Sequence, residues 1–289
     1  MQTLQLHPAL PAHMKYIKGG SFEMGDNFGD CDMIGFGCGD DEKPVHYVKV
    51  NDFFLCAYCV TFEEYDTFCK ATGKIKPEDE GWGRGYLPVI NVTWYDAVEY
   101  CNWLSGQNGL TLVYTIDKTQ KDPNNYDDND DLKWLVTTNW SANGYRLPTE
   151  VEWEYAAREG GKHVRFGNGH NILRTVEANF DADVEWPPYF EFGECRKRTS
   201  LVNSFAPNAL GLYNMSGNVW EWCWDWYDDE YYANSPLENP RGAEGCSHRV
   251  LRGGGWNDYP LYCRAVCRNL GNPIHRGNSI GFRLAFSSQ

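Results

Sequence analysis

Eleven cysteines, seven histidines and several runs of carboxylates are the residues of this chain whose types could do chemistry. Soft metals and redox couples call for paired thiols. Cys56 and Cys59 form CAYC, the spacing of a zinc knuckle. They sit in an apolar, strand-like run from Phe53 to Val60, have no second pair at zinc-site spacing, and would point to opposite faces of a strand. Cys263 and Cys267 are four apart and could meet only on a helix, which their flanks do not indicate. His7, His13, His46, His163, His170, His248 and His275 are dispersed, with no HxH or HExxH. No nucleophile elbow, Walker loop or dinucleotide fingerprint occurs. The Gly25 to Glu42 stretch reads as a surface loop whose clustered carboxylates could hold a cation.

The segment Arg249 to Phe286, RVLRGGGWNDYPLYCRAVCRNLGNPIHRGNSIGFRLAF, has a different character. Gly253, Gly254, Trp256, Arg264, Arg268, Arg276 and the block Ile280 to Arg283 are rigid or anchoring types. Between them stand Asp258, Tyr259, Leu261, Tyr262, Cys267, Asn269, Leu270, Gly271, Asn272, Ile274, His275, Gly277, Asn278 and Ser279, which follow neither a helical period nor a strand alternation. Chemically mixed positions held between rigid ones suit a recognition surface, with Tyr259 and Tyr262 as its natural anchors. An irregular coil that packs the last strand onto the core is the other reading. The arginines of this segment, with Arg252 and Arg283, are expected to bridge carbonyls and carboxylates of a loop-rich region.

Three helices must position these groups, each with its own start signal. Thr61 with Glu64, Thr93 with Asp96 and Thr149 with Glu152 are capping boxes, followed by apolar stripes that run to Gly73, Gly106 and near Gly160. Met14 to Met24 reads as a strand broken by Gly-Gly, and Val45 to Val60 as strand, turn, strand. Asp117 to Trp134 is acidic and turn-rich, and reads as a solvated excursion.

Composition narrows the classes. A chain of 289 residues with 42% hydrophobic content can bury a substantial core. A net charge of −14 argues against a nucleic-acid partner, because phosphate binding needs a basic footprint. No apolar run approaches a membrane span. The odd number of dispersed cysteines fits free, buried thiols better than a disulfide framework. No composition break or internal repeat marks a second domain, so residues 14–287 read as one domain after an N-terminal extension, 1–13. A monomer is expected.

Four stretches, MKYIKGG from Met14, NGYRLPTEVEWEYAAR from Asn143, GLYNMSGNVWEWCWDWY from Gly211 and the Arg249–Phe286 block, resemble the formylglycine-generating-enzyme (sulfatase-modifying factor) family. The resemblance implies an α+β, loop-rich C-type lectin fold. It also implies a copper-binding cysteine pair, but Asp258 stands where the first cysteine belongs and Cys263 where the second belongs, so neither copper nor the oxidase activity is expected. Calcium is implied through Asn214, Gly217, Val219 and Glu221, and less securely through Asn179, Phe180 and Glu194.

The 249–286 segment is more specifically similar to the variable region of proteins diversified by retroelements, in which template adenines are randomised. Asn-type codons treated so never yield Lys, Glu, Gln, Met or Trp, and none of these occurs from Asn257 to Ser279. That similarity implies a non-catalytic protein binding an unknown ligand, a protein or cell-surface molecule. It also implies display at a cell surface through a lipidated leader; the free thiols fit a cytoplasmic setting equally well.

Overall fold

The computed structural model describes residues 13–30, 40–183 and 189–288. Strand β1 (Met14–Ile17) and strand β2 (Gly20–Met24) are separated at the Gly-Gly break and join different sheets. Strand β2 pairs antiparallel with β3 (His46–Val50), Gly20 facing Val50 and Met24 facing His46. Strand β1 pairs antiparallel with β4 (Phe53–Cys56), which pairs in turn with the C-terminal strand β12 (Ala285–Ser287). A short strand, β7 (Tyr145–Arg146), completes that four-stranded sheet, so both ends of the described chain lie in one layer.

The expected helices form where their signals stand. Helix α1 (Phe62–Thr72) starts at a complete Thr61–Glu64 capping box and stops at Gly73, which takes the left-handed conformation a side chain would resist. Helix α2 (Trp94–Gln107) and helix α3 (Glu150–Ala157) start at the Thr93–Asp96 and Thr149–Glu152 boxes. Their stripes feed two apolar clusters. One joins Phe62, Tyr65, Trp94 and Tyr100 to Trp222, Phe282 and Leu284; the other joins Val151, Trp153 and Ala156 to Phe22, Leu55 and Val250.

A second four-stranded sheet carries the C-terminal segment. Its order is β10 (Arg268–Gly271), β9 (Arg249–Arg252), β8 (Trp220–Trp226) and β11 (Ile280–Gly281). The first three run antiparallel, and β11 lies parallel to β8 with Ile280 opposite Trp220. Everything between β9 and β11 apart from β10 and one 3-10 turn, Pro260–Cys263, is irregular chain hung on this sheet.

The acidic stretch is not a solvated excursion. Strands β5 (Tyr114–Lys121) and β6 (Trp134–Thr138) form its stem, and Asp122, Asn125, Asp127 and Asp130 at its tip are buried. Each side-chain oxygen there accepts an N–H two residues on: Asn124 to Asp122 (2.9 Å), Asp127 to Asn125 (3.0 Å), Asn129 to Asp127 (2.9 Å) and Leu132 to Asp130 (2.9 Å). These Asx turns satisfy the carboxylates locally, so the turns can dock; Tyr95 Oη donates to Asp130 at 2.7 Å.

The carboxylates in the described part of 25–42 also have other work: Asp30 binds Arg165 at 2.8 Å and Glu42 binds Arg264 at 2.8 Å through both guanidinium ends. Asp26 accepts the Asp30 N–H and Asp41 accepts the Tyr227 hydroxyl, so two of these carboxylates are counter-ions for arginines and two are held by uncharged donors; residues 31–39 of that stretch lie outside the described residues.

Four arginines tie the C-terminal segment to the rest. Arg252 meets Glu154 at 2.5 Å, Arg264 meets Glu42, Arg268 meets Glu150 at 2.7 and 3.0 Å, and Arg283 meets Glu221 at 2.5 and 2.6 Å, all eight side chains buried. Burial alone would raise the Glu150 carboxyl, but the Arg268 and Arg252 charges override it and hold the group below its ordinary range. Replacing Arg268 by Met removes this counter-charge and leaves Glu150 buried. The expected cost is about 3–5 kcal/mol, read as a lowered urea midpoint with the slope unchanged.

Candidate functional site

Burial sorts the residues between β9 and β11 into three groups. Tyr259 (47% exposed), Leu270 (40%) and His275 stand out in solvent. Asp258, Tyr262, Asn269, Asn272, Ile274, Gly277, Asn278 and Ser279 are half-buried, with Tyr262 and Ile274 resting on the first apolar cluster. Leu261 (4%) and Cys267 (3%) are buried, which corrects their assignment to the ligand-contacting set. Their place follows from the 3-10 turn, which encloses Leu261, and from the first apolar cluster, into which Cys267 packs. Gly271 is corrected too: a Cβ there would lie 2.5 Å from the Trp222 ring, so it serves close packing.

The supporting residues hold backbone. Gly253 and Gly254 both have positive φ, and a Cβ on Gly254 would meet the Cys263 sulfur at 2.7 Å. The Trp256 indole donates to the Asn278 carbonyl at 3.1 Å, closing the loop across the face. Arg276, unlike the four buried arginines, is exposed; it binds Asp96 (2.8 Å) and the Asn91 carbonyl (2.7 Å) at the rim. Two neighbours of the face had no local sequence signal: Trp82, edge-on to Trp256 at 5.3 Å, and Asp127, which accepts from the Asn272 amide. Only the tertiary fold brings either one there.

Asp258 is the most constrained of the half-buried group. Its Oδ2 accepts from the Trp220 indole (2.7 Å) and from the Gly255 N–H (2.8 Å), and its own carbonyl accepts from the Asp181 N–H (2.9 Å). Burial raises its carboxyl above the ordinary range, against the pull of the two donors. Trp220 thus lies beneath the face, whereas Trp222 is fully buried and donates to the Val92 carbonyl. Cys263 is buried, unpaired and pushed well above the usual thiol range by burial. The CAYC cysteines are likewise buried; Cys59 donates to Glu221 at 3.2 Å.

The implied calcium sets fit in half. The side-chain oxygens of Asn214 and Asn179 are buried and have no hydrogen-bond partner, as an oxygen reserved for a cation would be. The carboxylates do not fit. Both oxygens of Glu221 are occupied by Arg283, Trp153 (2.8 Å) and Cys59, and Glu194 is exposed and paired with Arg196 at 3.4 Å. The Gly217 carbonyl accepts from the Val219 N–H at 3.1 Å, and the Asn179 amide donates to the Arg198 carbonyl, beside Phe180. What is left is a set of neutral oxygens, with Glu221 removed as a ligand.

A family model described as the sulfatase-modifying factor enzyme 1-like domain matches residues 3–288. The chain belongs to that family. Among its relatives, the formylglycine-generating enzyme of Thermomonospora curvata is 32% identical over 292 residues, 94% of this chain and 92% of that one. The chaperone protein LppX of Paenibacillus barcinonensis is 39% identical over 219 residues, 72% of this chain and 71% of that one.

Among solved structures, Treponema denticola variable protein 1 superposes with a TM-score of 0.72 at 27% identity, covering 95% of each chain. PvdO from Pseudomonas aeruginosa superposes at 0.69 and 28%, covering 95% of this chain and 94% of that one. The loop-rich α+β, C-type lectin-like architecture of this sulfatase-modifying-factor domain is therefore shared with enzymes and with a variable protein alike.

Two expectations follow. Asp258→Asn keeps an oxygen for Trp220 and Gly255 but removes the buried charge. Because the folded pKa of Asp258 is raised, the wild type is penalised only above the unfolded value of about 3.9, increasingly as pH rises through the folded value. Thermal melts are expected to favour the variant more at pH 8 than at pH 4. Calcium titrated into chelator-treated protein is expected to bind no tighter than about 10⁻⁴ M by calorimetry, since no carboxylate of the implied sets is available to it.

Proposed function

We propose that this protein is a non-catalytic binder whose C-terminal face is diversified at the level of its gene, and that it meets its ligand through Tyr259, Tyr262, Asn269, Leu270, Asn272, Ile274, His275, Gly277, Asn278 and Ser279, with Asp258 held beneath them by Trp220 and the Gly255 N–H. The observation that carries the reading is the sorting of this segment. The arginines, glycines and Trp256 are consumed in holding backbone, while the residues between them are mostly exposed or half-exposed. Side chains that bear so little of the core can change without unfolding the protein.

The resemblance to retroelement-diversified proteins supports it, as does the likeness to Treponema denticola variable protein 1. Formylglycine-generating relatives speak for an enzyme. Against that stands the chemistry of the position: Asp258 is a carboxylate engaged by Trp220, and Cys263 is a single buried thiol, so the soft two-thiolate site of that activity is not assembled from these residues. The ligand is a protein or other cell-surface molecule, and the tyrosines are its principal contacts.

The test is genetic and physical. The DNA beside the gene is expected to hold a near-copy of the codons for Gly253 to Phe286 that differs at template adenines, within reach of a reverse transcriptase. Differences scattered over all bases, or no copy, would remove the reading. In the protein, exchanging Tyr259, Leu270 and His275 together for Asn is expected to shift the melting temperature by no more than a few degrees, whereas Leu261→Ala costs about 2–5 kcal/mol. A large loss from the triple exchange would mean that these side chains are core.

A further inference from the structure

A cavity of about 530 Å³ opens beside the variable face and contains none of its variable positions. Its walls are Trp82, Leu87 and Leu201 on the apolar side and Arg84, Arg196, Arg198, Thr199 and Glu194 among the polar groups. Three cations against one carboxylate is the reverse of the balance of the chain, which carries a net −14. Two of the three are committed. Arg84 is held by Asp66, Nε to Oδ2 at 2.9 Å, and Arg196 donates to the Thr175 carbonyl at 2.9 Å and faces Glu194 at 3.4 Å.

Arg198 differs. It is exposed, its backbone carbonyl accepts from Asn179, and its guanidinium makes no ion pair or hydrogen bond among the described residues. Next to it the Thr199 hydroxyl is buried without a hydrogen-bond partner. A guanidinium presents a planar fork of donors matched to an oxyanion, and a Trp82 wall beside it offers an apolar surface for the body that carries the charge. The volume suits a small organic molecule or one side chain of a larger partner.

We infer that this cavity is a fixed subsite for an organic anion, a carboxylate or a phosphate on an apolar or aromatic body, with Arg198 as its charge partner and Trp82 as its stacking wall. Trp82 lies against Trp256, so an occupant here borders the diversified loop without touching its variable side chains. The subsite stands whether or not that loop is diversified. Under the function proposed above it would supply a constant contact while the neighbouring residues change.

Saturation-transfer NMR on the full chain tests it with benzoate, phenyl phosphate and the neutral benzyl alcohol as probes. One or both anions are expected to bind saturably in the range of about 1–10 mM, and which one binds identifies the anionic group. Arg198→Gln, which removes no side-chain hydrogen bond or ion pair among the described residues, is expected to weaken that binding by about fivefold or more with the melting temperature unchanged. Trp82→Ala is expected to weaken it as well, and the Tyr259, Leu270, His275 exchange to leave it as it was. No saturable binding of either anion, equal binding of benzyl alcohol, or undiminished binding by Arg198→Gln would each overturn the subsite. Loss of binding in the triple exchange would place the anion on the variable face instead.

Discussion

A buried arginine without a carboxylate is costly, and so is the reverse, and the C-terminal half of this domain is built around that constraint. Arg252, Arg264, Arg268 and Arg283 each enter the interior from the last forty residues, and each finds a glutamate supplied by another part of the chain: Glu154 and Glu150 on α3, Glu42 on an N-terminal turn, Glu221 on β8. The pairs act as crosslinks of long sequence separation; Arg264 and Glu42 stand 222 residues apart. They fix where the backbone of the segment runs, although little of it is helix or strand. Irregular chain ordinarily depends on its side chains packing against one another. Here a few ionic anchors set the path, and the side chains they leave in solvent, Tyr259, Leu270 and His275, are released from that duty.

The anchors also explain why burial along the segment is uneven. Tyr259 lies before the 3-10 turn and projects outward; Leu261, inside it, is enclosed. Cys267 packs into the first apolar cluster just before β10, while Leu270, near the end of that edge strand, stands in solvent. Gly271 then closes against the Trp222 ring, where there is no space for a side chain. A face of this kind has a chemistry that can vary only at the positions the anchors leave outside.

Much of this could be read from the chain itself, because the signals are local. The three Thr-x-x-acid boxes gave helices that begin at Phe62, Trp94 and Glu150, and the rigid types of the last segment were separable from the rest by type alone. What could not be read depends on distant partners. Nothing near Glu42 marks it as the counter-ion of Arg264, and nothing near Trp82 marks it as a neighbour of Trp256. The burial of Asp122, Asn125, Asp127 and Asp130 was obscured for another reason: charge predicts exposure until each carboxylate is seen to accept its own backbone N–H two residues on. The recurring spacing of Asp and Asn was the available sign. Leu261 and Cys267 read as surface positions because the segment shows no period, and without a period the inward positions cannot be told from the outward ones.

The fate of Glu221 shows how one residue decides between the inheritances of the fold. Near it on the sequence, the Asn214 side-chain oxygen is buried and unpartnered. Yet the carboxylate sits between Arg283, the Trp153 indole and the Cys59 thiol, and a hard cation cannot share it without displacing a buried guanidinium. At Asp258 the substitution runs the other way. A position that could carry a soft thiolate carries a hard carboxylate, and that carboxylate accepts from Trp220 and the Gly255 N–H. In both places the side chain does structural work for the irregular segment. The domain has kept the frame common to its family and spent its polar groups on holding a loop in place, which is the condition under which a loop's remaining side chains become free to recognise something else.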